Sequence, residues 1–136
     1  MCVGSGAESR TVLIIEDEAA LRRLMRKMLE REGFEVLEAG GPSEALEVCR
    51  QSAAELDVLI TDLMMPEMTG GELATQLSGS YPHLKVLFMS GYGRADIEAQ
   101  GLLSPGEAFL SKPFNVARLC GAIEALFVDQ VQEANS

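Results

Sequence analysis

Short runs of consecutive apolar residues alternate in this chain with longer segments in which apolar residues recur every three or four positions. The first pattern is typical of strands buried on both faces, and the second of amphipathic helices. There are five such pairs, and the weak second run is expected at a sheet edge; the runs are 12–15, 35–38, 58–61, 86–89 and 108–110. Because parallel strands need right-handed crossovers, the pattern predicts an open five-stranded α/β sheet with helices on both faces.

Residues with strong positional preferences separate these runs. Gly33 ends the first helix, Pro42 begins the second, and Asn115 is suited to cap the last. The segment 94–101 offers few large apolar anchors, so we expect the least rigid helix there. The positions of the last helix that are predicted to face inward are Val116, Leu119, Cys120, Ile123 and Leu126.

The length of 136 residues leaves room for one domain. We divide the chain into a flexible lead or linker remnant at 1–10, a folded domain at 11–128 and a polar tail at 129–136. The formal charge of −10 argues against nucleic acid or an anionic membrane as a direct partner. No apolar run approaches the ~20 residues of a membrane span, and the start lacks the features of a signal peptide.

The cysteines bear on the compartment. Cys2, Cys49 and Cys120 are an odd set without Cys-x-x-Cys spacing. This usage favours free thiols in a reducing compartment over a disulfide scaffold. We therefore expect a cytoplasmic location.

Polar side chains follow four of the predicted strands where each strand ends. Glu16 and Asp17 follow the first, Asp62 ends the third, Ser90 the fourth, and Lys112 follows the fifth. Because the carboxyl ends of parallel strands share one edge of the sheet, these groups are expected to converge there. Three carboxylates facing one ammonium repel each other unless a cation intervenes, and Mg²⁺ is the hard cation that carboxylates and phosphate oxygens bind.

From residue 11 to about 127 the chain resembles the receiver domain of two-component response regulators. The motifs that carry this resemblance are Glu16-Asp17, Thr61-Asp62-Leu63-Met64-Met65-Pro66 with Gly70, Ser90-Gly91 and Lys112-Pro113-Phe114. The resemblance implies the flavodoxin-like strand order 2-1-3-4-5 and an aspartyl-phosphate switch. Glu16, Ser90 and Phe109, where aspartate, threonine and tyrosine also occur, stay within the range of the family.

The same resemblance assigns roles to individual residues. Asp62 would be the nucleophile that accepts a phosphoryl group from phosphohistidine. Asp17, Asp62 and the backbone carbonyl of Met64 would bind Mg²⁺, with Glu16 acting through a coordinated water. Lys112 would pair with a phosphoryl oxygen. The partner would be a sensor histidine kinase or a histidine phosphotransfer protein of a phosphorelay, and a weak dimer stays open.

Ser90 and Phe109 would form the switch. Ser90 would bind the new phosphoryl oxygens, and the Phe109 ring would turn inward as Ser90 moves. The output surface would consist of the fourth helix, fifth strand and fifth helix. Met64 and Tyr92 flank the site and offer no carboxylate or amide to orient a water molecule, so we expect a long-lived acyl phosphate and slow autodephosphorylation rather than enzymatic turnover.

The sequence leaves other interpretations open. A nucleotide or flavin binder would need a glycine- or hydroxyl-rich loop after the first strand, where Glu16-Asp17-Glu18 stands. A phosphatase of the haloacid dehalogenase type would need an acid where Met64 stands. The closest alternative is a degenerate receiver that acts only as a protein-interaction module. We favour excision from a longer protein, such as a hybrid sensor kinase, over a stand-alone receiver.

The first helix is rich in basic residues. We interpret them as a solvated face, with docking of an acidic kinase or phosphotransfer helix as the alternative. They are Arg22, Arg23, Arg26, Lys27 and Arg31.

Overall fold

A computed structural model describes residues 10–52, 55–104 and 106–135, with side chains described to residue 127. Five strands alternate with five helices. The strands are β1 Thr11–Ile15, β2 Glu35–Ala39, β3 Val58–Asp62, β4 Lys85–Ser90 and β5 Phe109–Ser111. The helices are α1 Ala19–Arg31, α2 Pro42–Gln51, α3 Gly70–Ser80, α4 Arg94–Ala99 and α5 Val116–Asn135.

All neighbouring strands pair in parallel, in the order β2-β1-β3-β4-β5. The structure therefore confirms the predicted flavodoxin-like α/β fold and the edge position of β2. The order places β1 and β3 side by side at the centre, with Ile15 opposite Thr61. Residues that follow these two strands consequently emerge next to each other at one edge of the sheet.

Alternate residues of β1 supply the two halves of the core. Val12 and Ile14 pack in the cluster that α1 and α5 cover, whereas Leu13 and Ile15 pack in the cluster beneath α2, α3 and α4. All four side chains are fully buried. Burying each one stabilises the fold by roughly 1.5–3 kcal/mol, which explains why the central strand is apolar throughout and why polar groups appear only after its end.

The helix signals in the sequence act as predicted. Pro42 occupies the first turn of α2, Gly33 has a φ of 99° after α1, and the Asn115 side chain accepts a hydrogen bond of 2.9 Å from the Arg118 N–H. The inward face of α5 needs one correction. Val116 is 40% exposed, because the first turn of α5 lies outside the core and the helix enters it at Leu119.

The cysteine expectation also needs correction. Cys49 is a free thiol, but Cys120 is disulfide-bonded, so the inference of three free thiols is wrong for Cys120. Cys2 lies outside the described residues, as does the proposed lead except for Arg10. The domain boundaries remain predictions. The α5 backbone continues to Asn135, through most of the segment that we assign to the tail.

Among the described residues, no helix has the length and apolar character that a membrane span requires.

The turn after β3 brings the start of α3 against the end of the strand. A Cβ atom on Gly70 would stand 2.3 Å from the carbonyl oxygen of Asp62, well inside van der Waals contact. The Gly70 N–H donates to the Leu63 carbonyl at 2.8 Å, and Thr69 and Glu72 form a capping box at the start of α3. The turn therefore fixes the backbone at Asp62 and requires glycine at position 70.

We predict that Gly70→Ala lowers the free energy of unfolding by roughly 1–3 kcal/mol, because the new methyl group must displace the Asp62 carbonyl. Gly71→Ala is the matched control, since the nearest atom to its Cβ would be Thr69 Oγ1 at 3.8 Å. That control should leave stability unchanged or raise it by up to about 1 kcal/mol. Urea denaturation measures both, and equal stabilities for the two variants would contradict the prediction.

Candidate functional site

Three carboxylates cluster at the carboxyl edge of the sheet. Glu16, Asp17 and Asp62 each place an oxygen within 4.8 Å of the others. Glu16 is only 2% exposed and the Asp62 side chain 13%, whereas Asp17 is open to solvent. The cluster forms because β1 and β3 are neighbours, so the residues that end them meet without any long-range loop.

One ammonium group joins two of these carboxylates. Lys112 Nζ lies 2.6 Å from Glu16 Oε1 and 2.7 Å from Asp62 Oδ1. Its backbone N–H donates to the Ser90 carbonyl at 2.9 Å, which continues the pairing of β5 with β4 by one residue. The β-ladder thus carries Lys112 to the acids from two strands away.

The pKa values of the paired groups reflect both burial and charge. Burial raises the pKa of Asp62 from 3.8 to about 6; the hydrogen bond from Lys112 opposes this shift, and the charges of Glu16 and Asp17 add to it. Burial acts to lower the pKa of Lys112, but hydrogen bonds to Asp62 and Glu16 outweigh it and raise that pKa. The ammonium therefore stays protonated, while Asp62 is ionised above about pH 6.

The donor set fits a divalent cation. Three carboxylates and one ammonium leave a formal charge of −2, which a divalent ion balances. Oxygen donors on one open side are the arrangement that Mg²⁺ uses when it also keeps water and phosphate oxygens as ligands. The acidic cluster is of the kind found at receiver magnesium sites. Met64 lies two residues beyond Asp62 with an exposed side chain, and its carbonyl as a ligand remains a prediction.

The expected switch residues lie next to this edge. Ser90 ends β4, and its Oγ accepts a hydrogen bond of 3.0 Å from the Tyr92 N–H. Phe109 begins β5 opposite Phe88, half-buried against the core cluster beneath α2, α3 and α4. Tyr92 is exposed in the loop after β4. Ser90 and Tyr92 thus stand at and just after the carboxyl end of β4, and Phe109 pairs with Phe88, two residues before that end.

The sequence pattern groups Arg22 with the solvated basic face of α1. Arg22 is half-buried and donates to the Glu16 carbonyl at 2.7 Å, so that interpretation is wrong for this residue. Arg26 pairs with Glu30 and Glu38, while Arg23 is exposed. The sequence holds no signal for the Arg22 contact, because it depends on how the loop after β1 turns into α1.

Comparison with protein families gives one match across most of the chain. The model of the response regulator receiver domain matches residues 12–124. Among curated proteins, the sensor kinase CckA of Brucella abortus is 37% identical over 125 residues, which cover 90% of this chain and 13% of the relative. The transcriptional regulatory protein SrrA of Staphylococcus aureus is 31% identical over 118 residues, which cover 87% of this chain and 48% of the relative. The chain thus spans less than half the length of these relatives.

Solved structures show the same likeness. A response regulator receiver domain protein from Clostridium thermocellum is 28% identical, with a TM-score of 0.72 over 90% of this chain and 98% of that structure. The receiver domain of the hybrid histidine kinase CckA is 32% identical, with a TM-score of 0.70 over 85% of this chain and 97% of that structure.

We predict that Asp62→Asn stabilises the metal-free protein at neutral pH. The folded state holds the Asp62 proton up to about pH 6 and the unfolded chain only to about 3.8. The contribution of this proton to the free energy of unfolding is therefore fully present below pH 3.8, and it is lost as the pH rises from there through 6. The variant lacks this loss, so its advantage in Tm should grow with pH across that window.

Thermal unfolding in the presence of a chelator, at several pH values, tests this expectation. Asp96→Asn, which removes an exposed carboxylate from α4, is the control. A Tm difference between Asp62→Asn and wild type that is the same at every pH would contradict it.

Proposed function

Because this chain belongs to the response regulator receiver domain family, whose members are generally non-enzymatic signalling switches, we propose that it accepts a phosphoryl group from phosphohistidine on Asp62. The observation that carries the proposal is the Lys112 ammonium at 2.7 Å from Asp62, inside a cluster of three carboxylates. An aspartate without a function at the protein surface would not need an ammonium and two further carboxylates beside it. An aspartate that must accept a polyanion needs a nearby cation.

Phosphoryl transfer places specific demands on Asp62. One of its oxygens forms the new bond to phosphorus while the bond to the donor imidazole nitrogen breaks, and the electron pair stays on that nitrogen. The attacking carboxylate must be ionised, and the pKa of Asp62, at about 6, leaves it so at neutral pH. Lys112, already beside Asp62, is placed to pair with an arriving phosphoryl oxygen.

The acidic cluster supports a role for magnesium. Asp17, Asp62 and the Met64 carbonyl would hold Mg²⁺, with Glu16 acting through water. Bound there, the ion would neutralise charge on the phosphoryl oxygens and orient them. Glu16 accepts hydrogen bonds from Lys112 at 2.6 Å and from the Glu18 N–H at 3.0 Å, so its buried carboxylate keeps the ammonium in place beside Asp62.

We further propose that Ser90 and Phe109 relay the modification to a surface formed by α4, β5 and α5. The Lys112 N–H bond to the Ser90 carbonyl couples the end of β5 to the end of β4. The short α4 has Ile97 as its one buried residue among those described, so little packing energy opposes its displacement. A change at Asp62 therefore has a direct route to this surface.

The partner that we propose is a sensor histidine kinase or a histidine phosphotransfer protein. One curated relative is named a sensor kinase and one similar structure is the receiver domain of a hybrid histidine kinase, which supports origin in such a protein. The rival function is an interaction module that is never phosphorylated. A module of that kind has no need for the phosphoacceptor, the acidic pair or the lysine, and this chain holds all of them together.

We predict that acetyl phosphate with Mg²⁺ adds one phosphoryl group to the wild-type protein and none to Asp62→Asn. Acetyl phosphate needs no kinase docking, so the reaction tests the site alone. Intact-mass spectrometry reads the result, and a chelator should abolish the increment. No increment on wild type would favour the interaction module, and an increment on Asp62→Asn would identify a different acceptor.

We predict that the acyl phosphate persists for minutes rather than seconds in Mg²⁺. Met64 and Tyr92, two residues after Asp62 and Ser90, have exposed side chains, and neither carries an amide or carboxylate to orient an attacking water. Met64→Asn should shorten the lifetime by supplying an amide, whereas Met64→Leu serves as the apolar control. Decay of the phosphorylated mass peak measures the lifetime, and a half-life of seconds in wild type would refute the prediction.

A further inference from the structure

A guanidinium group holds the loop that carries Glu16 and Asp17. Arg22 Nη1 donates to the carbonyl oxygen of Glu16 at 2.7 Å, and its Nε donates to Glu38 Oε1 at 2.9 Å. The Arg22 side chain is 19% exposed. The guanidinium is planar and presents its N–H donors at fixed angles, so it can join two acceptors whose separation is set by the fold. Arg22 thus ties the end of β1 to the edge strand β2.

The bonded carbonyl lies between two residues of the acidic cluster. It belongs to the peptide that connects Glu16 to Asp17, so its direction sets how the chain leaves the buried acid and presents the exposed one. The other polar atoms of Glu16 are also bonded: the N–H to the Ala39 carbonyl at 3.1 Å, and the carboxylate to Lys112 and to the Glu18 N–H. With the hydrogen bond from Arg22 to the carbonyl, every polar group of Glu16 has a partner.

Glu38 anchors the guanidinium. It stands near the end of β2, opposite Ile14, and its second oxygen accepts from Arg26 Nη1 at 2.6 Å. The hydrogen bond from Arg26, and to a smaller degree that from Arg22, lowers the pKa of Glu38 although burial opposes them, so the anchor stays charged. Glu38 therefore anchors the Arg22 side chain to the sheet, and the other end of the link holds Glu16, the first residue after β1.

We propose that Arg22 is a positioning residue for the magnesium site, acting through the Glu16–Asp17 peptide with Glu38 as its anchor. The inference deepens the proposed function and rests on it for the identity of the ion. The direction of the change in magnesium affinity separates this role from a simple charge effect. Removing a nearby positive charge alone would strengthen cation binding to the acidic cluster, whereas losing the orientation of Asp17 would weaken it.

The experiment compares Arg22→Ala, Arg22→Lys and the control Arg23→Ala, which removes the same charge from an exposed position one residue away. Titration with magnesium chloride gives the Kd for the metal alone. The amide resonance of Asp17 in the metal-free protein reports the peptide itself. We expect a rise of roughly tenfold in Kd and a shifted Asp17 amide for Arg22→Ala, partial recovery for Arg22→Lys, and neither effect for Arg23→Ala.

Unchanged or tighter magnesium binding by Arg22→Ala, with the Asp17 amide unmoved, would overturn the proposal. Should Arg22→Ala fail to fold, Glu38→Gln decides, because it weakens the anchor without removing side-chain volume: weaker binding with a shifted Asp17 amide supports the role of Arg22, and wild-type values refute it. The amide measurement needs neither metal nor phosphoryl donor. It therefore tests Arg22 separately from phosphorylation of Asp62, whose failure would appear only in the acetyl phosphate reaction.

Discussion

The ammonium of Lys112 between Glu16 and Asp62 is the interaction on which the site depends. Without it, three carboxylates within 4.8 Å would face each other at the end of an apolar sheet. With it, two acids are satisfied and the group retains a formal charge of −2. Burial, and to a smaller degree the charges of Glu16 and Asp17, keeps the pKa of Asp62 high. The remaining charge attracts a divalent cation. The repulsion that Lys112 relieves only in part is therefore also what makes this edge suited to a cation.

The fold tolerates these clustered charges because it restricts them to one edge of the sheet. β1 is buried along its whole length and β3 up to Asp62, so neither strand carries a charged residue before Asp62, and the acids of the cluster stand at the carboxyl edge. The tight turn at Gly70 and the Arg22 link then fix the backbone at Asp62 and Glu16 from two directions. The placement of these acids therefore does not depend on their carboxylate contacts alone.

Much of this arrangement can be predicted from the sequence, because it follows from periodicity and strand order. The apolar runs predict the strands, and parallel pairing brings Asp62 and Lys112 to one edge from positions 50 residues apart. Contacts that depend on loop direction escape this reasoning: Arg22 resembles any basic helix residue until the turn after β1 is known. Val116 misleads in the same way, since helical spacing does not reveal where α5 first meets the core.

Under the proposed function, phosphorylation of Asp62 would change the contacts of the Lys112 ammonium. The modified side chain carries about one more negative charge than the carboxylate that it replaces. An ammonium now shared between Glu16 and Asp62 would then shift towards the phosphoryl oxygens. Because the Lys112 backbone is bonded to Ser90 and lies three residues beyond Phe109, that shift acts on both expected switch residues. The lysine that balances the acidic cluster at rest is thus also the group best placed to transmit its change.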